Sequence, residues 1–302
     1  MANNTQEDEI QVINGEQSQE ALSYYYLGKR MPSHAPAETL ESIKRYFEVR
    51  PDDIYIVTYV RSGTTMLGEM VNSISSIEDI DSLRNKSLTE RVPFLDTGPG
   101  AGLDKPTYER IAASPSPRII CSHLPYEWMP VQFYDVMPKT IYLARDPRDV
   151  AVACWQFSKQ YKYLDTIEKW EDYFDMFCSG DVIYGSWFNH VLGWWNRRHD
   201  DNMLFLKFED VLAAPDDVVE TIGDFLKVEL SPEDKDKVLQ QTSLHIGKLQ
   251  GGNLSKTTTS NRYPLFKRGN VGVWKDHFTV AQNSYFNQLY FDTLKGTGLV
   301  LD

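Results

Sequence analysis

The sequence predicts an α/β fold: a single domain over residues 21–302 with a central, mostly parallel sheet flanked by helices, behind a flexible amino-terminal segment, residues 1–20. Two observations predict it. Short apolar runs recur along the chain, each followed by a stretch with apolar residues at helical spacing, as expected for strands buried on both faces with helices packed over them. Basic residues, a histidine and hydroxyls cluster directly after those runs, and ligands of such sheets bind beyond the carboxyl ends of the strands.

Taken in order, the amino end, MANNTQEDEIQV, is polar and has neither the charged-then-apolar layout of a signal peptide nor an amphipathic transit pattern. Ile54–Tyr59 is the first strand. Leu67, Met70, Val71 and Ile74 then recur at i, i+3, i+4 and i+7, which predicts a helix from about Thr64 with one buried face. Arg118–Ser122 reads as a short second strand and Lys139–Ala144 as a third. Asp146 can cap, and Pro147 can open, a helix reaching about Lys159. Met203–Phe208 is the fourth strand, followed by a helix from about Pro215 to Lys227. Trp187, Trp194 and Trp195 share a helix with Val191 and Leu192 and read as packing. The stretch Gly251–Asn261, GGNLSKTTTSN, reads as a mobile surface loop. No repeat and no linker marks a second domain.

Bulk composition narrows the function. With 302 residues and 41% hydrophobic content the chain can bury a large core. A net charge of −12 argues against nucleic acid as a partner, which needs a basic face. Any polyanionic ligand must be gripped by local cations. No apolar run approaches the ~20 residues that span a bilayer, so no membrane partner is expected. The three cysteines, Cys121, Cys154 and Cys178, have no ligand-like spacing and cannot all pair; a reducing, cytoplasmic location and no metal are expected.

The turn after the first strand, TYVRSGTTMLGEM, has the shape of a phosphate-binding loop without its lysine. Gly63 and Gly68 keep the glycine spacing of the mononucleotide loop, but Glu69 and Met70 follow where Lys and Ser or Thr belong. An ATP-dependent kinase is thus the runner-up on loop shape, with Glu69 against it. A tighter, P-loop-like turn remains: Gly63 permits close backbone approach, Ser62, Thr64 and Thr65 supply hydroxyls, and Arg61 offers a planar fork to an anion at a helix start. A simple Ser62 or Thr64 helix cap is the competing reading. Arg145, at the end of the third strand, brings a second cation to the same end of the sheet, unless it merely pairs with Asp146 or Asp149. Lys267-Arg268-Gly269 forms a third cluster, suited to a second phosphate group or to an ordinary basic turn.

Four stretches, YVRSGTT, YLARDPRDVAVACWQF, YGSWFNHVLGWW and KRGNVGVWKDHFTVAQN, resemble the cytosolic sulfotransferases, from about Ile54 to Gln282. Arg61 and the DPRD stretch resemble arthropod members. The resemblance implies transfer of a sulfonate from 3′-phosphoadenosine 5′-phosphosulfate (PAPS), the co-substrate, to a hydroxyl of a small phenolic or aromatic acceptor by in-line attack, with 3′-phosphoadenosine 5′-phosphate (PAP) as product. It implies that Arg61, Ser62, Gly63, Thr64 and Thr65 hold the 5′-phosphosulfate. Met66 replaces the tryptophan that stacks on adenine, with Phe208, Thr242 and Leu244 at other adenine positions. Arg145 and Lys267-Arg268-Gly269 would hold the 3′-phosphate, while Ala153 replaces a serine that bonds it.

By the same resemblance His123 is the catalytic base, a role imidazole chemistry suits because it titrates near neutrality; a lone histidine otherwise reads as structural. Arg61 stands where the family has a catalytic lysine and is assigned stabilisation of the leaving phosphate only, since guanidinium gives up no proton. Cys121, in place of a second lysine, reads as a neutral strand-end thiol. Phe94, Phe157 and Tyr184 match acceptor-cavity positions, and aromatic walls favour a flat acceptor. Trp155, Tyr161 and Tyr163 are further cavity candidates, and Tyr24-Tyr25-Tyr26 are candidates for closing over the cavity. Lys275, Thr279 and Val280 match part of a dimer motif that Ser284 departs from, leaving monomer or homodimer open. Two rival readings remain: a nucleotide-binding member that has lost turnover, motivated by Cys121, Ala153 and Met66, and, with the chemistry kept, sulfonation of an allylic alcohol followed by elimination.

Overall fold

The structure, a computed structural model, describes residues 22–99, 103–160, 164–249 and 271–301. The expected flexible segment 1–20, the loop 251–261, Tyr161, Tyr163 and the cluster Lys267-Arg268-Gly269 lie outside the described residues.

A two-stranded antiparallel hairpin comes first, β1 (Ser23–Tyr26) and β2 (Lys29–Pro32), followed by α1 (Ala37–Tyr46). The main sheet has four parallel strands, β3 (Ile54–Thr58), β4 (Ile119–Ser122), β5 (Lys139–Ala144) and β6 (Met203–Lys207), in the order β4-β3-β5-β6. From β3 the chain steps to β4 on one side and then crosses to β5 on the other. The strand order therefore reverses at the carboxyl end of β3, where doubly wound sheets open a crevice. Helices α2 (Thr64–Ser75), α3 (Leu88–Arg91), α4 (Thr107–Ala112) and α5 (Phe133–Val136) lie between β3 and β5 in the chain. After β5 come α6 (Pro147–Ser158), α7 (Trp170–Ser179) and α8 (Trp187–Trp195). Then α9 (Phe208–Ala213), α10 (Pro215–Leu226) and α11 (Pro232–Leu249) follow β6, and a last helix spans Val280–Leu294.

Strand alternation explains the two cores. Tyr55, Val57, Ile120, Tyr142 and Ala144 point to one face and pack with the aromatics of α7 and α8, including fully buried Trp187 and Trp194. Ile54, Ile56, Cys121, Ile141 and Leu143 point to the other and pack with α2 and α10. The tryptophans of α8 are packing residues, as expected.

Three expectations need adjustment. The first strand stops at Thr58 and the fourth at Lys207, because Phe208 already opens α9; Arg118 precedes the second strand and pairs with buried Asp53 at 2.6 Å. Helix α2 is buried nearly all round, Glu69 and Ser73 included, since it lies between the sheet and α11. The hairpin was not foreseen, and Tyr24-Tyr25-Tyr26 form its first strand; the cavity is lined from the second strand by Arg30.

Candidate active site

The turn after β3 is built by left-handed backbone at Arg61 (φ 64°) and Gly63 (φ 104°). A Cβ at residue 63 would lie 2.7 Å from the Phe208 ring, so glycine is required twice, for conformation and for space. Among the described residues no side chain caps α2. The expected alternative of a Ser62 or Thr64 cap is not what the turn uses them for: Thr64 Oγ1 lies 2.6 Å from Thr58 Oγ1, and the buried Ser62 hydroxyl has no hydrogen-bond partner among the described residues. Orphaned buried hydroxyls are rare in folded proteins. An uncapped helix start beside one leaves donors free to meet anion oxygens.

Arg145 extends from the end of β5, buried, and its Nη1 donates to the Arg61 carbonyl at 2.9 Å. Its guanidinium lies 4.6 Å from the centre of the Phe208 ring, which also abuts Gly63. Burial, and to a smaller degree Arg61, pulls its pKa down, while Asp149 and Glu209 oppose this. The alternative of a surface pair is excluded by place: Asp146 caps α6 and binds Arg148 at 2.7 Å. Asp149 accepts from the backbone of Gly272 at 2.7 Å and Trp274 at 3.0 Å. That contact returns the chain, just downstream of Gly269, to the first turn of α6 beside Arg145.

His123 follows β4. Its Nδ1 lies 2.8 Å from the Thr58 carbonyl, and a carbonyl only accepts, so Nδ1 carries the proton and Nε2 keeps the lone pair. The His123 carbonyl accepts from Nε2 of His190 at 3.0 Å, and His190 Nδ1 meets the Tyr142 hydroxyl at 2.9 Å. Burial lowers the His123 pKa; Asp96 and the Thr58 bond oppose that, and Arg61 adds to it. The ring is thus held neutral and oriented.

A cavity of about 350 Å³ opens beside it. Arg61, Phe94, His123, Phe157 and Tyr184 all line it, so the expected catalytic and acceptor residues come together. The Phe94 ring lies 5.0 Å and the Tyr184 ring 5.5 Å from His123, and the Arg61 guanidinium sits 4.7 Å from the Phe157 ring centre. Phe94 reaches this place because Pro93–Leu95 pairs alongside β4: Cys121 N donates to Pro93 O at 2.9 Å and Leu95 N to Cys121 O at 2.8 Å.

Other expected residues stand apart from the cavity. Met66 is buried in the core on the α2 face. Thr242 is buried on α11 and spends its hydroxyl on the Val238 carbonyl at 2.8 Å, while Leu244 is exposed. Thr65 is exposed at the start of α2. Cys121 is a buried thiol whose pKa burial pushes far up, so it is neutral, as read from the sequence. Thr279 caps the last helix and Val280 beside it is exposed. Trp155, a further cavity candidate, donates from its indole to the Ile167 carbonyl at 2.9 Å.

Sequence reasoning missed Arg30, His34 and Asp96, all at the cavity wall. The RVPFLD run, which places a carboxylate two residues after Phe94, was the available signal for Asp96. Nothing in the local pattern marks the other two. Among the described residues no group of His, Cys, Asp or Glu is placed to hold a metal ion, and no helix is long and apolar enough to cross a membrane.

The family model of the sulfotransferase domain matches residues 51–298. Sulfotransferase 1B1 of Canis lupus familiaris is 37% identical over 268 residues, 87% of this chain and 90% of that protein. Sulfotransferase 2A1 of Homo sapiens is 34% identical over 258 residues, 84% of this chain and 88% of that protein. Among solved structures, mouse sulfotransferase SULT7A1 complexed with PAP superposes with a TM-score of 0.73 at 28% identity, covering 91% of this chain and 96% of that one. Retinol dehydratase in complex with androsterone and inactive cofactor PAP superposes with a TM-score of 0.75 at 26% identity, covering 92% and 90%.

Proposed function

The chain belongs to the sulfotransferase family, with PAPS-dependent sulfonate transfer as its activity; from that premise we propose that the acceptor is a small phenol or other aromatic alcohol, that His123 is the general base and that Arg61 stabilises the leaving phosphate. The observation that carries this reading is the single cavity lined by both the neutral Nε2-basic imidazole and the guanidinium.

The residues present fit the nucleotide. The Ser62 hydroxyl, without a partner among the described residues, and the cradle at Gly63 suit the 5′-phosphosulfate, with Arg61, Thr64 and Thr65. Arg145 would serve the 3′-phosphate together with Lys267, Arg268 and Gly269; Phe208 with Met66, Thr242 and Leu244 would form the adenine side. PAPS supplies the sulfonate. His123 takes the acceptor proton at Nε2 as the oxygen bonds to sulfur, and its Nδ1–H keeps the Thr58 carbonyl bond throughout. The sulfur–oxygen bond to phosphate breaks, the electron pair leaves with PAP, and Arg61 compensates the charge developing there. Phe94, Phe157 and Tyr184 exclude water and hold the acceptor ring.

The test is incubation with labelled PAPS and a phenol panel, comparing wild type with His123→Ala. Loss of a general base lowers turnover by about 10²–10⁴-fold; equal turnover overturns the assignment of the base. PAP binding without any sulfonated product supports instead the nucleotide-binding reading motivated by Cys121, Ala153 and Met66. Loss of water from an allylic alcohol, read by product mass, marks elimination; retinol dehydratase among the similar structures makes that arm worth running.

A further inference from the structure

The cavity contains one buried carboxylate that the reading above gives no task. Asp96 is 2% exposed and lines the same wall as His123. A carboxylate in an apolar cavity is costly to bury, so its partners show what it is kept for. Oδ2 accepts from the Tyr184 hydroxyl at 2.5 Å, a short bond. Oδ1 takes two longer ones, from Ser122 Oγ at 3.3 Å and from the backbone N–H of His123 at 3.4 Å. Ser122 Oγ in turn accepts from Leu124 N at 3.0 Å, so the carboxylate braces the backbone on both sides of the histidine.

Two features show that this placement is imposed. Tyr184 adopts φ 66°, a left-handed conformation uncommon for a bulky aromatic residue, and its buried ring stands edge-on to His123. Such outliers persist only where the surroundings determine them, and they gather at functional sites. On the other side, the Pro93–Leu95 pairing along β4 delivers Asp96 directly after Phe94, level with the end of the strand that carries His123.

We propose that Asp96 is the positioning residue of His123: it braces the histidine's backbone and sets a negative charge beside its ring to offset Arg61, with the Tyr184 hydroxyl anchoring the carboxylate. The arrangement resolves a conflict in the site. Arg61 must stand near the reacting atoms to meet the leaving phosphate, yet a cation there, together with burial, weakens the base that must accept a proton. Asp96 opposes both effects on His123. The other titratable groups facing the ring do not replace it: His34, beyond β2, is itself drawn down by burial, and His190 on α8 is held neutral by burial.

This inference deepens the function proposed above, but its test does not require turnover. The imidazole resonances of His123 are followed by NMR as pH is varied, in the full chain and in Asp96→Asn and Tyr184→Phe, each first checked for a cooperative thermal unfolding transition. Removing the opposing charge moves the His123 titration to lower pH in Asp96→Asn, by about one unit; an unchanged or raised titration overturns the proposal. Tyr184→Phe withdraws the hydroxyl that shares the carboxylate's charge but keeps the charge, so the titration stays at or above wild type, and a fall overturns the proposal even if Asp96→Asn does not fold. Where sulfonated product forms, the acid limb of kcat/KM in Asp96→Asn moves in the same direction as the resonance. A wild type that transfers nothing to any phenol sinks the functional reading and leaves the titration to judge Asp96 by itself.

Discussion

At Gly63 the backbone conformation, the packing and the proposed anion site depend on one missing side chain. Its φ of 104° is rare for any residue with a Cβ, and the nearest atoms such a Cβ would meet belong to Phe208. The same ring supports Arg145, so a methyl group here strains the turn and displaces the brace of the second cation. Gly63→Ala is expected to cost about 1–3 kcal/mol of backbone strain and to weaken PAP binding; calorimetric titration beside a thermal melt separates the two, and wild-type affinity for PAP refutes the placement of the anion in this turn. The turn was legible in the sequence because glycine, hydroxyls and an arginine follow an apolar run. For Asp96 the RVPFLD run offered only its place two residues after Phe94; that it neighbours His123 follows from the pairing of Pro93–Leu95 along β4, a contact between distant segments.

Among the elements, α2 shows how periodicity can be right and incomplete. Leu67, Met70, Val71 and Ile74 do face the core, as their spacing predicts. The opposite side is buried as well, and there Glu69 accepts from Arg91 at 2.6 Å and from Gln241 at 3.0 Å. Glu69 therefore ties α2 to α3 and α11, and its charge is matched by Arg91 within the core. The sequence shows a glutamate where a triphosphate loop needs lysine; only the fold shows what it is for. Both partners of this pair are nearly inaccessible, so removing one leaves the other charged and buried. Glu69→Ala is expected to destabilise the protein by about 3–5 kcal/mol, measured by urea denaturation, and Glu69→Ala combined with Arg91→Leu to recover part of the loss. A single variant as stable as wild type, within experimental error, refutes the pairing. Strand limits were legible to a residue, since β-run and turn composition are local; the β1–β2 hairpin was not, since SYYY and KRMP lack the alternation of a half-buried strand.

For the whole molecule, the sequence anticipated cations from distant segments meeting at one rim, and two of the three can be compared: Arg145 donates to the Arg61 carbonyl, while Arg268 lies outside the described residues. What holds His123 also sets how the protein responds to acid. His190 is fully enclosed, donates to the His123 carbonyl and accepts from Tyr142, and burial brings its pKa down to about 3 from 6.5. His123 is drawn down as well. A histidine whose folded pKa is depressed stabilises the fold fully above the unfolded value of 6.5 and loses that contribution as pH falls toward the folded value, because the unfolded chain takes up the proton first. Unfolding free energy is therefore expected to decline from pH 6.5 downward, by up to about 1.4 kcal/mol per pH unit for each such histidine. Asp149 and Glu209, whose carboxyls burial pushes up, act in the opposite sense in more acid solution, and so does the relief of a net charge of −12. The difference between variants isolates the histidine: His190→Gln, whose amide nitrogen reaches the position of Nε2, keeps a donor for the His123 carbonyl and removes the titrating ring, so its stability should fall less steeply between pH 6.5 and 4.5 in urea melts. Parallel pH profiles for the two proteins would mean that His190 binds its proton as readily in the fold as outside it, and that the support beneath the end of β4 is not a neutral, fixed ring.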